Sequence, residues 1–292
     1  MNLNDLLNGK GIDPKNVLVF RHRPKEAKLN KVLPWLAAER PELFNTYQQT
    51  QNDKVERVMQ KVKHVASFIG RQPGKALFIG LYSVDGWTKM TYEACTRHPL
   101  IIELTSLGMK GYDGDNERPL VLWFDLKPVA DFHPEWKGKL IVGWPPPERS
   151  WWRRAHRNDM PVLALLQDSA LDAAMPSWDE LSVTSEELGI LPTRWQNAIR
   201  HWRGVYFVFD KSDGKGYVGS AYGEDNILGR WQGYAASGHG GNVLLRRRDP
   251  INFVFTILQR VSPDMDSDDV IRLESTWKKR LHTRVPFGLN DN

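Results

Sequence analysis

Six polar residues in the last third of this 292-residue chain are of types that do chemistry together. Tyr206 and Tyr217 stand eleven residues apart, and Arg230 and Tyr234 stand four apart. Glu274 follows at a distance, and Asn290 lies near the last residue given. A lone carboxylate with few acidic neighbours suits one hard divalent cation, Mg²⁺ or Mn²⁺. Such an ion keeps several waters and takes one or two carboxylates, so Glu274 is the expected metal ligand. Arginine presents a planar fork that matches a non-bridging phosphate oxygen, which gives Arg230 its expected place. A free phenol has a pKa near 10 and acts as a base at neutral pH only where positive charge lowers that value. Arg230 and the cation are the expected sources of that charge. The set suits hydrolysis of a phosphodiester, with Tyr206 taking the proton and Tyr217 and Tyr234 positioning water or touching phosphate. The reverse assignment of Tyr206 and Tyr217 stays open. Each residue alone has a plainer reading: tyrosines as sheet packing, Arg230 as a surface cation, Glu274 as the partner of Lys278 four residues on.

Those residues need elements to carry them. Residues 204–209 (Gly-Val-Tyr-Phe-Val-Phe) read as a strand, 213–216 (Asp-Gly-Lys-Gly) as a hairpin turn and 217–220 as the return strand. That hairpin would set Tyr206 and Tyr217 side by side on one sheet face. A helix with Ile227, Leu228 and Trp231 as apolar contacts then places Arg230 and Tyr234 on one side. Residues 251–258 read as a third strand. Residues 266–281 read as a second helix with aspartates in its first turn, favourable to the helix dipole, and Glu274 within it.

In this order and spacing the segment resembles the GIY-YIG nuclease family. Gly204-Val205-Tyr206 and Tyr217-Val218-Gly219 stand for the two triplets, with valine replacing isoleucine in the first. Tyr206, Tyr217, Arg230, Tyr234, Glu274 and Asn290 fall on the family's motif positions. The resemblance covers residues 203–292. It implies a small antiparallel sheet flanked by helices and a metal-dependent DNA endonuclease. For Asn290 it implies a supporting role, structural or beside the metal.

The rest of the chain supplies the frame. Net charge is +5 and the pI is about 9.2, compatible with a nucleic-acid partner. From Arg194 onward there are 15 Lys/Arg against 11 Asp/Glu, so most of the excess lies beside the candidate site. Arg246, Arg247 and Arg248 form a run expected to follow a DNA backbone. Ser237 to Asn242 is glycine-rich but lacks the Lys and Ser/Thr of a phosphate-binding loop; it reads as a connecting loop. A single cysteine, Cys95, excludes an intrachain disulfide and a multi-cysteine zinc site. No secretory signal and no apolar run long enough to span a membrane is present, which leads to the expectation of a cytoplasmic protein with no membrane partner.

The expected class is α+β in four parts. Residues 1–72 read as a helical segment, in which Pro34 starts one helix and Val55 to Ile69 forms another at spacings of three and four. Residues 73–175 read as a strand-rich body, a small antiparallel sheet or β-barrel. Its strands are expected near Ala76–Val84, Leu100–Leu104, Leu120–Leu126 and Lys139–Trp144. Residues 176–202 read as a connector with short helices, and 203–292 as the nuclease-like domain. The strand-rich body is the expected DNA-targeting part. Trp87, Trp123, Trp136, Trp144, Trp151 and Trp152 are its stacking candidates, and Trp151, Trp152, Arg153 and Arg154 its basic-aromatic contact. The expected whole is a DNA endonuclease of restriction or defence, the alternatives being a repair nuclease or a binding protein with an inactive nuclease domain. A homodimer would let one small site cut both strands.

Overall fold

A computed structural model of the chain describes residues 1–110, 119–172, 174–224, 226–239 and 242–291. The chain is α+β and divides into two units, Met1–Asp172 and Ala173–Asn292.

The first unit runs α1 (Leu3–Gly9), β1 (Val17–His22), α2 (Ala27–Glu39), α3 (Pro41–Gln49), α4 (Asp53–Met59), β2 (His64–Ile69) and β3 (Lys75–Thr91). It continues with α5 (Tyr92–Thr96), α6 (Pro99–Ser106), β4 (Leu120–Pro128), β5 (Leu140–Gly143), β6 (Trp152–Arg154) and β7 (Val162–Leu165). Its seven strands form one mixed sheet in the order β6-β1-β2-β3-β5-β7, with β4 paired to β3. β1 and β2 are parallel, and α2 to α4 form the crossover that a parallel pair requires.

Three expectations for this unit are corrected. Residues 1–72 are not a separate helical segment, because β1 and β2 belong to the sheet and α1 packs on its core. The expected helix through Ile69 stops at Met59, and Val65 to Ile69 is strand. Every residue from Val65 to Ile69 is buried. A strand covered on both faces loses its period-two signal and can continue the spacing of a preceding helix. Residues 100–104 are helical, not a strand. Pro99 opens α6, the His98 ring nitrogen accepts from the Leu100 N–H (3.3 Å), and Ile101 and Leu104 are the buried positions at helical spacing. Pro34 also lies inside α2, whose buried face (Leu29, Val32, Leu33, Leu36, Ala37) runs straight through it.

The second unit runs β8 (Ser182–Thr184), α7 (Ser185–Leu188), α8 (Thr193–Arg200), β9 (Arg203–Asp210), β10 (Gly216–Ala221), α9 (Asn226–Ser237), β11 (Phe253–Val261) and α10 (Ser267–Arg280). Its sheet has the order β10-β9-β11-β8 and every pairing is antiparallel. The expected connector is therefore part of this unit. β8 is a strand of the sheet, and Leu181, Val183, Leu188, Leu191 and Ile199 join its core.

Alternation assigns the faces of this sheet. Tyr206 and Val208 of β9, Ala221 of β10 and Phe253, Phe255 and Ile257 of β11 share a core with Ile227, Leu228, Trp231 and Tyr234 of α9. Val205 and Val218 point the other way and are fully buried, on the side against which α10 lies. A bulge between Ile257 and Gln259 lets β11 stay paired along β9. Gly204 sits opposite it at φ +147°, where a Cβ would stand 2.0 Å from the Gln259 carbonyl oxygen. Only glycine fits that approach. Asp268 and Asp269 lie in the first turn of α10 and Lys278, Lys279 and Arg280 in its last, matching the helix dipole at both ends.

Among the described residues, no helix is long and apolar enough to cross a membrane.

Candidate active site

β10 is the edge strand of the second unit's sheet, and side chains from the two faces meet along it. Tyr206 stands opposite Gly219 in the β9–β10 register, while Tyr217 stands opposite Val208. The two tyrosines are thus diagonal neighbours on one face, not a directly opposed pair. Gly219 leaves the space Tyr206 uses: a Cβ there would lie 2.5 Å from the Tyr206 Oη. The phenol crosses the edge strand because that position has no side chain.

α9 brings the third phenol. Trp231 stacks on Phe255 with centroids 5.5 Å apart, which fixes the helix against the sheet. Three residues on, Tyr234 donates or accepts at 3.0 Å with the Tyr206 hydroxyl. Its ring meets Tyr217 edge-on at 5.8 Å. All three phenols have pKa values pushed well above the ordinary tyrosine range. Burial is the largest cause in each, and the proximity of another phenol the next. Arg230 acts in the opposite direction on all three but is outweighed. The expectation that Arg230 would help activate a tyrosine holds in sign, yet the protein alone keeps the phenols protonated.

Tyr234 is the middle phenol, sharing a hydrogen bond with Tyr206, in which either hydroxyl can donate, and another with Tyr217.

α10 supplies Glu274 from the other face. Its Oε1 lies 2.7 Å from the Lys278 Nζ, with both side chains largely buried, and its Oε2 accepts from the Ser220 hydroxyl. Tyr206, Tyr217, Arg230, Tyr234 and Glu274 all line one polar cavity of about 370 Å³, with Arg230 exposed at its rim. Ser220, Tyr222, Asn242 and Lys278 line it too.

No family model and no curated protein matches this sequence. Among solved structures, the catalytic domain of the homing endonuclease I-TevI is similar to part of the chain. The match covers 31% of this chain and 98% of that one, at 25% identity and a TM-score of 0.27.

Asn290 does not enter the cavity. Its Oδ1 accepts from the Val218 N–H (3.0 Å) and its Nδ2 donates to the Val218 carbonyl (2.9 Å). It closes the outer edge of β10 between Tyr217 and Gly219. Two carboxylates line the cavity, Glu274 and Asp291, and among the described residues no group of three or more His, Cys, Asp or Glu side chains could hold a metal ion. The donor set fits an ion that keeps most of its waters, as Mg²⁺ does, since a carboxylate oxygen can serve two partners.

The basic run divides. Arg246 and Arg247 are exposed. Arg248 is not available to DNA, which corrects the expectation for it. Its guanidinium forks onto Asp213 (2.8 and 2.8 Å) and reaches the buried Asp210 (2.6 Å). His239 does not line the cavity, and Gly240 and Gly241 lie outside the described residues.

The basic-aromatic segment of the first unit divides as well. Arg153 is turned inward, donating to the carbonyls of Pro145 and Pro147 (3.2 and 3.0 Å). Trp152 and half-buried Arg154 belong to β6, and both tryptophans pack on the core. Sequence reasoning missed Ser220 and underrated Lys278, whose only signal was its place four residues after Glu274.

Proposed function

We propose that the second unit hydrolyses phosphodiester bonds in DNA, using a single Mg²⁺ or Mn²⁺ ion held at Glu274. One observation carries this reading: Tyr206, Tyr217, Arg230, Tyr234 and Glu274, from four different elements, converge on a single polar cavity. When bound, the cation supplies Lewis-acid charge neutralisation at the phosphate and the leaving oxygen. Arg230, at the rim, grips a non-bridging oxygen of the incoming phosphate. Tyr206, which crosses the edge strand at Gly219 and lines the cavity, accepts the proton of the attacking water. Lys278 and Ser220 fix the carboxylate of Glu274. Asn290 is a supporting residue, holding the strand that carries Tyr217. The first unit selects the DNA, in restriction of foreign DNA or in repair.

The test incubates the whole chain with plasmid, single-stranded and base-modified DNA, with Mg²⁺ or Mn²⁺ or with a chelator. Cation-dependent cutting that Glu274→Ala abolishes and Arg230→Ala reduces by about 10²-fold or more is the expected result. Binding of DNA without cutting of any substrate, unchanged in Glu274→Ala, would replace this reading with that of a binding protein. Which of the modified and unmodified substrates is cut separates restriction from repair. Dependence of double-strand cutting on the square of protein concentration would show a homodimer.

A further inference from the structure

The first unit contains a cavity of about 490 Å³ that owes nothing to the site just described. That volume falls within the roughly 300–1,000 Å³ of small-molecule sites. Its aromatic walls are braced. The Trp151 ring leans on Phe20 with centroids 5.3 Å apart, and the Tyr47 ring stands edge-on to His22 at 5.2 Å. Of the six tryptophans expected to stack, Trp151 is the one that lines this space. Trp144, in contrast, is buried, with the guanidiniums of Arg21 and Arg153 each within 6 Å of its ring.

The charge around the cavity is one-sided. Arg21, Arg23, Lys25, Lys110 and Arg149 line it against a single acid, Glu148. Arg21 is 1% exposed and already donates to the carbonyls of Lys75, Gln72 and Glu148 (3.1, 3.0 and 3.4 Å). It is a fixed positive charge beneath the site. Arg23, Lys25 and Arg149 are exposed at it. Glu148 lies 3.8 and 3.9 Å from Arg21 and Arg23, so it offsets part of that charge and leaves the rest. His22 is fully buried and its pKa is lowered to about 4 by that burial; it is neutral and lends hydrogen-bonding capacity without charge. The polar side chains of Thr50 and Gln51 and the apolar Ile101 also line it.

A ligand for this space must be anionic at one end and must offer a flat face with hydrogen-bonding edges at the other. We propose that this cavity binds a nucleotide. The base stacks on Trp151 or Tyr47 and meets the amide of Gln51, and the phosphate is held by Arg23, Lys25 and Arg149. The nucleotide comes either from a DNA strand, extruded from its stack, or from the free pool. The shared chemistry is a base with its 5′-phosphate. Stacking of a base on an aromatic side chain is a strong and sequence-tolerant contribution, and the cations add the charge-assisted part.

The experiment uses the full chain in a chelator, so that binding is read whether or not the protein cuts DNA. The probe is 2-aminopurine, whose fluorescence is quenched on stacking, as deoxynucleoside, as its 5′-monophosphate, and mispaired within a duplex. The monophosphate is expected to be quenched and to bind at least tenfold tighter than the nucleoside. Lys25→Ser/Arg149→Ser, two exposed positions, is expected to lose that margin with an unchanged Tm. Trp151→Phe, which keeps an aromatic ring against Phe20, is expected to weaken quenching. Displacement of the mispaired duplex by the monophosphate assigns the strand as source; binding without displacement assigns the free pool. Absence of quenching in every form overturns the proposal. So does equal affinity for nucleoside and monophosphate, or binding unchanged in both variants. A chain that binds nucleotide but never cuts would uphold this inference while overturning the nuclease reading.

Discussion

Asn290→Leu removes a side chain that makes two hydrogen bonds to one residue. Val218 lies on the edge strand β10, so the N–H and C=O that face away from β9 have no strand to pair with. Asn290 satisfies both, at 3.0 and 2.9 Å, and is 1% exposed. The segment that carries Asn290 is tied on both sides of it. The Leu289 N–H donates to the Gly216 carbonyl (2.9 Å) and the Asn290 N–H to that of Thr283 (2.8 Å). A buried polar group left unpaired costs about 1–3 kcal/mol. Two such groups give about 2–6 kcal/mol if leucine excludes water from the gap. An opening free energy reduced by about 3 kcal/mol speeds amide exchange roughly a hundredfold. Hydrogen exchange should therefore show the Val218 amide losing that much protection, while the first unit is unaffected. Asn290→Asp keeps the acceptor but turns an oxygen toward the Val218 carbonyl, so it should not rescue. Unchanged protection at Val218 in the leucine variant, or full rescue by aspartate, would refute the argument that this side chain closes the sheet edge.

Gly219→Ala drives a methyl group into the Tyr206 hydroxyl. It should cost about 1–3 kcal/mol in a denaturant titration and lower cutting far more than DNA binding. Tyr206→Phe removes the proposed base and should flatten the pH–rate profile, whereas Tyr217→Phe should lower the rate and leave the profile's shape; the opposite pattern would exchange their roles. Arg248→Ala should destabilise the second unit by leaving the buried Asp210 carboxylate without its cation. Arg246→Ala and Arg247→Ala should instead reduce the salt dependence of DNA binding by about one ion each. His22 has a folded pKa of about 4, below the usual 6.5, so the unfolded chain binds the extra proton first. The first unit should keep this contribution above pH 6.5 and lose it progressively as the pH falls toward 4, a trend absent in His22→Gln.

Local signals carried most of the second unit. The apolar alternation of Val205 to Phe209, the turn at Asp213-Gly214 and the three-and-four spacing of Ile227, Leu228 and Trp231 each describe an element within a dozen residues. What sequence distance hid was partnership. Arg248 looks like one of three surface cations until the fold returns it to Asp210 and Asp213, more than thirty residues earlier. Ser220 has no signal pointing to Glu274, 54 residues away. In the first unit the losses were of element type. β2 is sandwiched between a parallel and an antiparallel neighbour and is covered on both faces; its sequence therefore has no polar side to mark it as strand. Helix α6 was hidden by a short apolar stretch, Leu100 to Leu104 broken only by Glu103, in which the pattern of burial separates Ile101 and Leu104 from exposed Ile102.

The phenols tie the chemistry to the fold more tightly than any single distance does. Burial gives the three tyrosines a fixed geometry with shared hydrogen bonds, and the same burial raises their pKa values. A side chain cannot be so enclosed and also be a ready base in the resting protein. Arg230 lowers all three but cannot offset the burial, and the buried ammonium of Lys278 is already committed to Glu274. Proton acceptance by Tyr206 therefore needs charge that arrives with the reaction. On the proposed reading that charge comes to Glu274, on the same cavity wall, and proton transfer waits until the carboxylate is loaded. On that same reading the raised phenols keep the site silent until DNA and cation are both in place.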